Sequence, residues 1–331
     1  MRLMMLTAAL CGLTLLGGTS MAAVKVMAVG DSLTEYHAYR AQFAARVAAD
    51  KADVTMVGPK SDATGAHAGF SGRAIGAFNN ANETSTINGQ SVNTSMAGML
   101  AAHQPDVVLL MVGTNNMNHG LGVRQSNPPR YPVGTASDFA IAAEYAEPLN
   151  GSYLNGVGSH FNQPTFGTTY LKGEVTKLVN TVLDSSPTRK LIMAKIPPVG
   201  TGGDASATDP YAPGNPTRTL KAFNDSAVER IKEYNSYLDQ VYDALPADKR
   251  ARMRVIDNFT GVDRSYQVGS AATDFGPASR QAGDWVHPQP GAAAWTSMGD
   301  NFYTAYIQAA VPEPKAMGAM GGSVLLLLRR R

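Results

Sequence analysis

Three side chains in this sequence have the types and spacing for nucleophilic chemistry. Ser32 closes the segment Val26-Met27-Ala28-Val29-Gly30-Asp31-Ser32, and Asp284 and His287 stand three residues apart near the other end of the chain. A serine hydroxyl is a poor nucleophile at neutral pH and needs an imidazole to take its proton as it attacks a carbonyl. The imidazole in turn needs its second nitrogen held. An aspartate three positions before a histidine, in one short loop, can fold back to accept the Nδ1 proton and fix the tautomer. The tetrahedral species then carries an anionic oxygen that preplaced donors must meet, and losing one such donor costs ~3 to 4 kcal/mol. Acyl transfer is the chemistry such a set would serve.

Taken singly, each residue has a plainer reading. Ser32 could cap a helix, Asn115 could close an Asx-turn, and His287 could be a surface loop residue. What favours the chemical reading is the company they keep: GDSLT at 30–34, GFSGRAI at 69–75, VGTNN at 112–116 and DWVHP at 284–288, in that order. These four blocks resemble those of the SGNH or GDSL hydrolase family, and the resemblance covers nearly the whole span between the two terminal segments. It implies a flavodoxin-like α/β/α sandwich and ester hydrolysis, with Ser32 as nucleophile, His287 as general base and Asp284 as the carboxylate that orients His287. The oxyanion falls, on the same resemblance, to the Ser32 and Gly72 backbone N–H groups and the Asn115 side-chain amide. Gly69 and Asn116 are the neighbouring alternatives. A glycine suits the second place because bare backbone can approach a substrate closely. No Gly-x-Ser-x-Gly occurs, so nucleophile-elbow hydrolases match less well.

The elements that must position these groups follow from the pattern of apolar runs. Strands are expected at 24–29, 54–57, 107–112, 190–196 and 253–257, and helices at 38–49, 91–103, 169–183, 220–245 and 292–309. That alternation gives an α/β chain with about five parallel strands covered on both faces, a three-layer α/β/α sandwich. In DVVLLMV every residue after Asp106 is apolar, which predicts a strand buried on both faces at the centre of the sheet. Ligands of open α/β sheets collect at the carboxyl ends of the strands. Ser32 and Asn115 lie just past two such ends, and His287 lies in the loop before the last helix. The helix N-terminus after Ser32 would add favourable partial charge beside an oxyanion. Asp31 reads as a turn or cap residue, and Trp285 and Trp295 would pack the histidine loop.

Other features bound the function. Asp31, Glu35 and His37 could be imagined as metal ligands, but no second cluster completes a coordination sphere and an exposed helix start explains them better. His67, His103, His119 and His160 are scattered singly and read as loop or surface residues. Neither a phosphate-loop nor a dinucleotide pattern occurs. No metal and no cofactor is expected. Residues 117–167 and 201–219, rich in Gly, Pro, Asn and Ser, fall outside the element pattern, and loops of that length are usually functional or disordered. The first carries Tyr131, Tyr145, Tyr153, Phe161 and Phe166, which would either line a substrate cleft or build a satellite core.

The termini read as sorting information. Residues 1–23 combine Arg2, an apolar stretch and small residues around Ala22, the pattern of a cleaved secretory signal. The only cysteine, Cys11, lies inside it, so no disulfide or thiol chemistry is expected in the remainder. Residues 311–331 run VPEP, then a short apolar stretch, then three arginines. They resemble the PEP-CTERM tail of Gram-negative bacteria, which implies an exosortase-like processing enzyme as partner and only transient contact with the membrane. Setting aside Arg2 and the terminal arginines, four of the 28 basic residues, leaves 24 against 26 acidic ones, a net charge of about −2. Nothing basic remains to steer nucleic acid.

The expectation is therefore one hydrolase domain at 24–310 with an insertion at 117–167, exported to the periplasm, cell surface or extracellular matrix. Its substrate would be a carboxylic ester, with short acyl groups, especially acetyl, on extracellular carbohydrate such as an acylated polysaccharide preferred. The alternatives are a lipase or arylesterase acting on lipid or small aryl esters, and a noncatalytic glycan-binding surface module.

Overall fold

The structure, a computed structural model, describes residues 23–36, 38–117, 172–200, 220–264, 287–288 and 291–310. Its centre is β1 (Val24–Gly30), whose last five residues are buried. The start of β1 pairs in parallel with β2 (Val54–Met56), and its end, on the same side, with β4 (Gly65–Gly69) through Val29 with Ala68 and Gly30 with Gly69. On its other side β1 pairs in parallel with β7 (Val107–Met111), Gly30 meeting Met111. The sheet continues in parallel through β8 (Lys190–Ala194) to β9 (Met253–Ile256), while β3 (Lys60–Asp62) adds an antiparallel edge to β4. Spatial order is β3-β4-β1-β7-β8-β9, with β2 also beside β1.

This order dictates the layers. The chain steps one way from β1 to β2 through α2 (Ala38–Ala49), and the other way through α4 (Met96–His103), α6 (Lys172–Asp184) and α7 (Leu220–Ala244). Right-handed crossovers made in opposite directions along a sheet put their helices on opposite faces. The final helix α9 (Ala293–Ala310) packs on α2, while α4 and α7 pack against α6. The result is the three-layer α/β/α sandwich expected, with five parallel strands close to the expected positions. All five residues of β7 are buried, as a central strand covered on both faces requires. Fully burying one such Val, Leu or Met side chain contributes ~1.5 to 3 kcal/mol, and the core runs without interruption from β1 through β7 and β8 into α6, α7 and α9.

Two expectations are corrected. The helix expected at 91–103 begins only at Met96, because residues 90–93 belong to a hairpin of β5 (Thr84–Ile87) and β6 (Gln90–Asn93). The turn is Asn88-Gly89, both at positive φ, 52° and 79°. Asn-Gly is the pair that this mirror-image turn demands. Ser95 then starts α4 by accepting the Gly98 N–H at 3.1 Å. The second correction concerns the helix after Ser32. It is a single turn, α1 (Ser32–Glu35), separate from α2, so the dipole beside the serine is that of one turn only. Shorter helices α3 (Ile75–Asn79), α5 (Thr114–Met117) and α8 (Ala247–Ala251) complete the described elements. Among the described residues no helix is long and apolar enough to cross a membrane.

Candidate active site

The strand order reverses at β1, so the crevice expected of an open sheet lies at the carboxyl ends of β1 and β7. Ser32 sits there as the first residue of α1, 3% exposed. Its approach is crowded. A Cβ on Gly30 would come 2.1 Å from the Met111 carbonyl oxygen and 2.2 Å from Thr34 Oγ1, so only glycine lets β1 end against β7 this closely. Past β7, Gly113 turns the chain at φ +128°, and a side chain there would strike the Tyr234 ring at 2.6 Å. From α7, the Tyr234 hydroxyl donates to the Val112 carbonyl at 2.7 Å, and Asn235 pairs with both the N–H and the C=O of Ile196. These helix residues hold the strand ends, and single-sequence periodicity gives no sign of the role.

His287 meets Ser32 across 255 residues of chain, with Nε2 2.7 Å from Oγ, both side chains buried. The Tyr36 ring stands edge-on to the imidazole, centroids 5.4 Å apart at 82°. Behind the histidine, Trp295 donates its indole N–H to the Pro288 carbonyl at 3.1 Å, packing the loop as expected. Asp284 and Trp285 lie outside the described residues.

Asp31 caps α1 as expected, its Oδ1 accepting the Leu33 N–H at 3.0 Å. It is not, however, part of an exposed helix start, because the side chain is fully buried. Burial pushes its carboxyl up to about 6, against the opposing pull of the Leu33 N–H and of the nearby His287. Thr114 also favours the charged form, and among the described residues neither Asp31 Oδ2 nor Thr114 Oγ1 has a partner in hydrogen-bond geometry. A buried polar atom left unpaired costs about 1 to 3 kcal/mol.

Glu35 is likewise not a free helix-start residue, since it pairs with Lys60 and accepts the Ser71 N–H. His37, the third imagined ligand, lies outside the described residues. Among the described residues no three His, Cys, Asp or Glu side chains gather into a metal-holding group.

The second and third sequence blocks meet. Gly72 has φ +75°, and a Cβ there would touch nothing within 4 Å, so it borders open space. Gly69 is different, for its N–H donates to His67 Nδ1 at 3.1 Å and a side chain on it would strike the Glu35 backbone at 2.5 Å. Asn115 donates its Nδ2 to the Arg73 carbonyl at 3.1 Å, half-buried beside Gly72. Asn116 is buried and accepts the Ile75 N–H at 3.1 Å.

His67 corrects the reading of the scattered histidines as loop or surface residues. It lies in β4, 3% exposed, and burial, helped by the Arg40 charge, pushes it down to about 4. Its neutral ring can therefore accept the Gly69 N–H. His103 ends α4, half-buried, and His119 and His160 lie outside the described residues.

A serine hydroxyl hydrogen-bonded to an imidazole, at the point where an open parallel sheet reverses its strand order, is an arrangement suited to hydrolysis. The chain belongs to the GDSL-like Lipase/Acylhydrolase family, which it matches over residues 28–290, and it is an ester-hydrolysing enzyme. No curated protein matches it in sequence. Solved structures similar to it include a family 3 carbohydrate esterase of Clostridium thermocellum, at 14% identity over 86% of this chain and 96% of that one, TM-score 0.46. A family 3 carbohydrate esterase from Talaromyces cellulolyticus is 20% identical over 86% and 97%, TM-score 0.45. Est24, a carbohydrate acetylesterase from Sinorhizobium meliloti, is 16% identical over 87% and 98%, TM-score 0.42. At these scores none of the three bears on the substrate.

Proposed function

We propose that this chain is an exported serine esterase working through Ser32, His287 and Asp284 by an acyl-enzyme route. The observation that carries the reading is the 2.7 Å contact of Ser32 Oγ with His287 Nε2. In this reading neutral His287 takes the Ser32 proton as Oγ attacks the ester carbonyl, and Asp284 holds Nδ1–H. The carbonyl oxygen, now anionic, is met by the N–H groups of Ser32 and Gly72 and by Asn115 Nδ2. Collapse expels the alcohol, which takes its proton from the His287 imidazolium, and water repeats the sequence to release the acid. The open space beside Gly72 and the Asn115 link to Arg73 support the placing of these donors. The Gly69 N–H, already committed to His67, is a poorer candidate.

The acyl group is short, acetyl foremost, and the alcohol part is extracellular carbohydrate. Support for this is the likeness of residues 311–331 to tails of proteins from exopolysaccharide-producing bacteria. Export rests on residues 1–23, and processing by an exosortase-like enzyme on that tail, both outside the described residues. Ser32→Ala is the direct test: hydrolysis of p-nitrophenyl acetate should vanish while thermal unfolding is kept, and an unchanged rate refutes the site. An acyl-length series and acetate release from acetylated polysaccharide then sort carbohydrate from lipid or aryl esters. N-terminal sequencing of the secreted protein checks the cut after residue 22 or 23.

A further inference from the structure

The exposed Ser71 precedes Gly72, yet its backbone N–H is not left to solvent. It donates to Glu35 Oε2 at 2.5 Å. The other oxygen of that carboxylate pairs with Lys60 Nζ, which also donates to the Gly69 carbonyl at 3.1 Å. Both charged side chains are mostly buried, 23% and 27% exposed. One residue further on, the Tyr36 hydroxyl donates to Ser71 Oγ at 3.0 Å. On the far side of Gly72, Asn115 holds the Arg73 carbonyl. Gly72 itself has no side chain to pack, so the groups flanking it must set where its N–H lies. Close contact is built in, because a Cβ on Gly69 would stand 2.5 Å from the Glu35 nitrogen. The tie also joins two parts of one site, since Glu35 ends the single helical turn that begins with Ser32.

A bare carboxylate here would oppose a developing oxyanion, and the Lys60 ammonium removes that opposition while leaving an acceptor for Ser71. We propose that Glu35, with its charge masked by Lys60, is a positioning residue for ester hydrolysis: by holding the Ser71 N–H it fixes the 70–71 peptide, and through it the adjoining Gly72 N–H, so that the latter meets the carbonyl oxygen in the transition state. This rests on the reading of Gly72 as an oxyanion donor. Displacing a donor by about 1 Å is worth up to about 100-fold in rate.

The test uses the full chain and p-nitrophenyl acetate. Glu35→Ala should lower kcat by about 10- to 100-fold with KM within about twofold. Glu35→Gln, whose amide oxygen can still accept the Ser71 N–H, should stay within about threefold of the parent. Lys60→Met, which leaves the carboxylate unmasked, should lower kcat about tenfold, and adding Glu35→Gln to it should restore the rate. Affinity for a boronic acid that adds to Ser32 should fall in Glu35→Ala by the same factor as kcat. A Glu35→Ala kcat equal to the parent's, an equal loss in Glu35→Gln, or a Lys60→Met defect that Glu35→Gln does not repair overturns the proposal. Should Glu35→Ala fail to fold, the Lys60→Met and Glu35→Gln pair decides alone. If Ser32→Ala is dead while these variants keep the parent's rate, this inference alone fails; if Ser32→Ala hydrolyses ester, the reading beneath it fails.

Discussion

The two groups that meet at the candidate site are held by different means. Ser32 continues the central strand, where Gly30 is paired on both sides and the turn behind it is closed by backbone bonds from Thr34 and Glu35 to the Asp31 carbonyl. His287 comes from a loop whose described support is the Trp295 indole, the edge of Tyr36 and the packing of α9 on α2. Ser32 is thus placed by the sheet itself, which cannot shift without breaking ladder bonds. His287 is placed by side-chain packing, which can give by fractions of an ångström. Errors on the serine side should therefore appear as lost stability, and errors on the histidine side as lost rate.

His287→Ala should lower kcat for p-nitrophenyl acetate by about 10⁴-fold or more, with circular dichroism and thermal unfolding close to the parent. A small loss would mean that another group takes the proton, and the contrast between the two sides would lose its base. Gly30→Ala strikes the other side. Its methyl group meets backbone at 2.1 Å, with no side-chain rotation able to relieve it. Destabilisation of about 3 kcal/mol or more is expected in urea titrations, and wild-type stability would show that β1 and β7 can part far enough to admit a methyl group.

Trp295→Phe sharpens the contrast, since it removes one hydrogen bond to Pro288 while keeping most of the ring. The expected stability loss is about 1 kcal/mol, a melting shift of about 2 to 4 °C. A kcat loss of about 3- to 30-fold with KM unchanged should accompany it. Unaltered kcat would argue that the loop is set elsewhere.

Asp31→Asn leaves the rate comparison aside and gives the most specific effect. Asp31 titrates in the folded protein at about 6, above its ordinary 3.8, so the folded state keeps this proton longer than the unfolded chain does. Stability linked to it is fully present below about pH 4 and is lost as pH rises through 6, to a total of about 3 kcal/mol. The Asn variant should lack that slope, so its stability relative to the parent should be greater by about 1 to 3 kcal/mol at pH 8 than at pH 4. Denaturation at the two pH values checks this, and equal differences would mean that the carboxyl is not raised.

Much of the fold was legible because it rests on periodicity. DVVLLMV could only be a strand covered on both faces, and the runs at 24, 54, 190 and 253 are too short and too β-branched or aliphatic for helices. The hairpin at 84–93 carries its own mark in Asn88-Gly89, but the apolar run after it dominates the local pattern and extends the expected helix back to 91. By contrast, β3 and β4 carry Lys60-Ser61-Asp62 and Gly65-Ala66-His67-Ala68-Gly69, without apolar alternation, and they exist because β4 completes the side of β1 that β2 leaves unpaired. Block order brought Ser32 and His287 into one reading, and the structure brings their side chains together. Asp284 falls outside the described residues.

Residue type and spacing alone determined that this chain builds a parallel sheet and sets a serine just past the end of its first strand. Local chemistry along a chain is enough for that, because strand and helix periods differ. Only the tertiary structure decided that Asp31 is buried and reluctant to ionise, that Gly69 is committed to packing, and that Glu35 reaches the loop before Gly72. Those properties depend on which atoms of distant segments exclude water from a group or supply its partner, and proximity of that kind leaves no trace in the order of residues.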